Sequence, residues 1–77
     1  MIKNNTISTG THRRLDGFIN DRLADNLSRS DAVEVLADYI ELKTGEEIDG
    51  HQLWQWIYDD VAVPKEKLEA INNSFKL

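Results

Sequence analysis

From Thr11 onward, apolar residues recur at helical spacing. Leu15, Phe18, Ile19 and Leu23 stand at i, i+3, i+4 and i+8, the stripe of an amphipathic helix that buries one face. Thr11 is placed to cap this helix, and Asp16 lies early enough to suit the positive end of its dipole. Asn26 is a suitable left-handed stop. Gly17 weakens the helix by about 1 kcal/mol relative to Ala.

A second helix is predicted from Ser28-Arg29-Ser30-Asp31 onward. Ser28 with Asp31 three residues later forms a capping box in which Asp replaces Glu, and Ser30 is a rival cap. Ala32, Val33, Val35, Leu36, Ala37, Tyr39, Ile40 and Leu42 cover more than one face. So wide an apolar arc implies burial against several neighbours, a second subunit among them. Thr44-Gly45 ends it. Asp49 caps a third helix of about three turns that carries Leu53, Trp54, Trp56, Ile57, Tyr58 and Val61. Val63-Pro64 opens a fourth, with Pro suited to the first helical position and Leu68, Ile71 and Phe75 as its stripe.

The first ten residues lack this period. Asn4-Asn5-Thr6-Ile7-Ser8-Thr9 is β-permissive and stops at Gly10. It is either a flexible tail or a short strand with Asn5, Ile7 and Thr9 on one face and Asn4, Thr6 and Ser8 on the other. The segment has no apolar h-region, and no apolar run approaches the ~20 residues of a membrane span. The expectation is a soluble, cytoplasmic protein with no membrane partner.

Charge adds an asymmetry. Residues 1–30 carry five Lys or Arg against three Asp, whereas residues 31–77 carry four Lys against eleven acids. A weakly basic head and a strongly acidic tail suggest two different partners, one of them anionic. A 77-residue chain buries only about 60% of its unfolded surface, so helix packing or oligomerisation has to stabilise it. With no Cys and two His, neither a disulfide nor a structural metal is expected. There is no phosphate loop, no HExxH and no Cys nucleophile. His12 and His51 read as surface or capping residues, and Glu46-Glu47 and Asp59-Asp60 as solvated charge rather than a calcium loop. The expectation is a non-enzymatic protein without cofactor, metal or small-molecule substrate.

The unit from Phe18 to Val33, with Ser28-Arg29-Ser30-Asp31 opening the apolar helix and residues 4–9 before it, resembles the ribbon-helix-helix family, particularly ParD-like antitoxins. The Leu15-Asp16-Gly17-Phe18-Ile19 stretch also looks like the first helix of that family. The resemblance spans roughly residues 4–43. It implies a homodimer whose paired antiparallel strands enter the major groove of DNA, in a mainly α fold of one short strand and about four short helices. Residues 1–45 would bind DNA and dimerise, and residues 46–77 would form an acidic helical extension. Carried over by position, Asn4, Thr6 and Ser8 would face bases, while Arg13, Arg14, Ser28, Arg29 and Ser30 would contact phosphate. Antitoxins of this type carry an acidic extension that wraps a toxin, and Trp54, Trp56, Tyr58, Asp59 and Asp60 would face that protein partner.

Trp54, Trp56 and Tyr58 have a second reading as core. The two Trp lie about 200° apart on a helix, so one must leave the face the other occupies. The chain as a whole also has a second reading. A monomeric all-α four-helix domain with a disordered N-terminal tail would be an acidic inhibitor or adaptor, in the manner of bacteriocin immunity proteins or phage-encoded inhibitors, that binds a basic surface of a host or toxin protein. The two readings part at residues 4–9: a paired strand favours the DNA-binding regulator, and its absence favours the inhibitor.

Overall fold

A computed structural model describes residues 7–75 of the chain and contains four helices: α1 (Thr9–Ala24), α2 (Arg29–Thr44), α3 (Gly50–Tyr58) and α4 (Lys65–Ser74). Local chemistry accounts for most of their ends. Ser8 stands in extended backbone before α1, and its Oγ accepts the Thr11 N–H. At the other end Asn26 adopts φ 72°. There the Asn26 N–H donates to the Leu23 carbonyl and the Leu27 N–H to the Arg22 carbonyl, the paired bonds of a Schellman motif with Asn in the left-handed position. Ser28 caps α2 by accepting the Asp31 N–H at 3.1 Å. Gly45 closes α2 at φ 79° and donates its N–H to the Glu41 carbonyl.

The buried face of α2 holds the molecule together. Ala32, Val33, Leu36, Ala37 and Ile40 are all buried there, and α1, α3 and α4 each pack against this helix. Leu15 and Ile19 come from α1, Leu53, Trp56 and Ile57 from α3, and Ala70 and Ile71 from α4; Ile48 and Val63 fill in from the connections. A second cluster lies beside this core. Phe18, Tyr39 and Phe75 meet pairwise with centroids 5.2–6.5 Å apart. The Arg22 guanidinium lies 4.8 Å from the Phe18 ring and the Lys43 ammonium 5.8 Å from that of Tyr39, cation–π contacts that bring two charges onto apolar surface. At the far end Lys67 of α4 donates to Glu46 Oε2 at 2.8 Å and to the Glu47 carbonyl. Among the described residues, no helix is long and apolar enough to cross a membrane.

This architecture corrects the expected ribbon. No strand occurs among the described residues, and Thr9 is already the first residue of α1. The Ser8 side chain is the reason: by capping the Thr11 N–H it recruits Thr9 and Gly10 into the helix, and Thr11 lies inside the first turn rather than at the cap. Ile7 packs half-buried against the core instead of facing a partner strand. Asn4, Asn5 and Thr6 lie outside the described residues. The mainly α part of the expectation holds; the short strand, and the ribbon-paired dimer fold built on it, do not. Two smaller differences concern helix starts. Pro64 precedes α4 at its cap position instead of occupying the first turn, and Asp49 stands at the α3 cap without a side-chain hydrogen bond.

Candidate partner-binding surface

The side of α2 away from the core is acidic. Asp31, Glu34, Asp38 and Glu41 are exposed, and at about 100° per residue they fall within an arc of about 80°. Val35 and Leu42 continue the same face and are 37% and 86% exposed. Like charges three and four residues apart destabilise a helix by about 0.2–0.5 kcal/mol per pair. Asp31 gains from its place in the first turn, where a carboxylate suits the dipole, but Asp38 and Glu41 have no such return. Among the described residues, Glu34, Asp38, Glu41 and Asp49 form no ion pair.

The acids continue into a groove where α2 meets the start of α3. A depression of about 320 Å³ is lined by Glu34, Asp38, Glu41, Glu47 and Asp49 together with Ala37, Ile48, Gly50, Gln52 and Lys67. Lys67, its one cation, is paired with Glu46. A second depression of about 360 Å³ shares Glu34 and Gly50 with the first and extends to Ser30, Val33, His51 and Trp54. Gly50 permits the close approach: a Cβ there would stand 3.2 Å from Glu34 Cγ. The Glu34 carboxylate is thereby drawn to the first turn of α3, where the capping side chain is idle and a negative charge is favourable. Two depressions thus meet at the Glu34–Gly50 contact, one lined by five carboxylates and the other by the Trp54 indole.

The residues expected to contact DNA are distributed differently. Ser8 and Ser28 are both occupied as helix caps. Arg14 donates from Nη1 to the Phe75 carbonyl at 3.2 Å, and Arg29 donates to the Tyr58 hydroxyl at 3.2 Å with its guanidinium 5.9 Å from that ring. Arg13 is exposed beside a shallow hollow formed with Ile7, Thr9, His12, Asp16 and Asp60. Ser30 lines the second depression with Trp54. Asn4 and Thr6 lie outside the described residues.

The aromatic residues divide between core and surface. Trp56 is buried at 5% exposure, whereas Trp54 is half-buried with its ring centroid 4.7 Å from that of Tyr58. Asp59 and Asp60 are exposed just beyond α3, and Asp60 adopts φ 55°. His12 bridges helices, with Nε2 3.1 Å from the Ile57 carbonyl and Nδ1 3.4 Å from Asp16 Oδ2. No group of three or more His, Asp or Glu that could hold a metal ion occurs among the described residues.

Glu34, Asp38, Glu41 and Leu42 were not singled out from the sequence as a site. The usable signal was the spacing of acids at 31, 34, 38 and 41, a helical stripe of carboxylates opposite the apolar one. A scan against protein-family models, a search of curated proteins and a search of solved structures each found no match to this chain.

Proposed function

We propose that this chain is a non-enzymatic, acidic helical binding protein that takes a basic surface of another protein against α2 and its groove with α3. The observation that carries this reading is the stripe of Glu34, Asp38 and Glu41, exposed and unpaired among the described residues, of which Asp38 and Glu41 have no compensating seat at a helix start. Acidic potential of this kind accelerates encounter with a cationic partner and rejects anionic ones. The same field opposes approach to a nucleic-acid backbone; of the three Arg expected at phosphate, Arg14 and Arg29 hydrogen-bond to Phe75 and Tyr58, and Arg13 is left exposed. An inhibitor or adaptor role follows more naturally than operator binding.

Fluorescence anisotropy with a labelled Lys/Arg-rich peptide, a neutral peptide and a DNA duplex tests the reading. The cationic peptide is expected to bind, to weaken as salt rises, and to lose at least about tenfold in affinity when Glu34, Asp38 and Glu41 are all changed to Lys. Binding of the duplex in preference to the peptide, or peptide binding that ignores the triple substitution, would refute it.

A further inference from the structure

We infer that the occupant of the outer face of α2 is an amphipathic basic helix, whose apolar residues cover Val35 and Leu42 while its Lys and Arg side chains meet Glu34, Asp38 and Glu41. The inference rests on the proposal that the partner is basic, and adds its shape and its seat. Leu42 is 86% exposed in the last turn of a helix whose opposite side is packed from Ala32 to Ile40. Val35 stands seven residues earlier, about two turns along the same side. The start of α3 meets this face at Glu34 and Lys67 of α4 borders the depression beside it, but Val35 and Leu42 stay exposed beyond them. Two aliphatic groups about 10 Å apart along an axis, flanked by carboxylates at the intervening turns, complement the i, i+3/i+4, i+7 anchors of a helix that docks by its apolar face.

Charge decides the identity of that helix. A second copy of α2 brought against the first would set Asp31, Glu34, Asp38 and Glu41 against their own equivalents, and like charges so juxtaposed oppose association. An anionic membrane surface meets the same repulsion. A helix with cations beside its apolar stripe reverses the sign, neutralising the like-charge pairs of α2 while removing Leu42 from water.

Isotope-labelled full-length protein titrated with two synthetic peptides of one Leu/Lys composition provides the test. One peptide is patterned as an amphipathic helix and the other is scrambled to destroy the pattern. The patterned peptide is expected to shift amide resonances along residues 34–42, to gain helical circular dichroism on binding, and to bind at least about tenfold more tightly than the scrambled one. Leu42→Ser is expected to remove most of that difference and Leu42→Met to restore it, with thermal melts unchanged because the side chain is exposed. If the two peptides bind equally and Leu42→Ser behaves as wild type, the docking helix is refuted while the acidic reading stands. If neither binds, both are refuted. A dimer in sedimentation that Leu42→Ser dissociates would overturn the inference in favour of a second copy.

Discussion

A methyl group added at Gly17 and one added at Gly45 are expected to act in opposite directions. Gly17 lies in the interior of α1, and a Cβ there meets nothing within 4 Å. Gly17→Ala therefore adds helix propensity without a clash and is expected to stabilise the fold by about 0.5–1 kcal/mol. Gly45 also has open space around it, but its φ of 79° is left-handed. Gly45→Ala is expected to cost about 1 kcal/mol or more. Paired urea denaturation curves check both signs, and equal shifts of the two midpoints in one direction would contradict the cap geometry. Residues such as Gly45, Asn26 and Ser28 were legible in the sequence because each acts on backbone within a few positions of itself. Ser8 was not, since a polar Ser two residues before a Gly satisfies strand alternation as well as it satisfies a cap. Only Ser8 Oγ at the Thr11 N–H separates the two.

At the scale of the element, α2 is two-faced. Leu36 is fully buried on one side and Leu42 is exposed on the other. Leu36→Ala is expected to destabilise the protein by about 2–5 kcal/mol, through lost burial and the cavity left in the core. Leu42→Ala is expected to change stability by less than about 0.5 kcal/mol. Chemical denaturation separates the two cleanly; comparable losses would mean that Leu42 is covered. The apolar arc of α2 reads in sequence as a single broad face, and periodicity alone does not say which edge of it a neighbour reaches. The same limit applies to Trp54 and Trp56. Their opposed directions follow from helical geometry, but that Trp56 enters the core while Trp54 lies half-buried and tilted against Tyr58 depends on where α2 lies.

Over the whole molecule the acid excess outweighs any single ion pair. The formal charge is −5, and part of it is concentrated on one side of α2, where screening relieves self-repulsion. The melting temperature is expected to rise as monovalent salt increases from low ionic strength toward physiological values, and the Glu34→Lys, Asp38→Lys, Glu41→Lys protein is expected to show a smaller rise. A calorimetric series at several salt concentrations checks this; a falling melting temperature would mean that the Lys67–Glu46 pair and its like dominate instead. The charge division between the two parts of the chain was plain in the sequence. Its functional form was not, because a sum over residues 31–77 hides the helical phase that gathers four carboxylates on one side.

The contact of α2 with every other helix has a further consequence, for the timing of recognition. The stretch of α2 from Ala32 to Ile40 is buried against the rest of the core, so its amides are expected to open only with global unfolding and to exchange among the slowest. Glu34 and Asp38, carried on the outer side of that stretch, are therefore expected to keep their spacing in every folded molecule. A partner arriving at α2 meets a template that has already lost its backbone entropy, and the ordering penalty at the moment of binding falls on the partner.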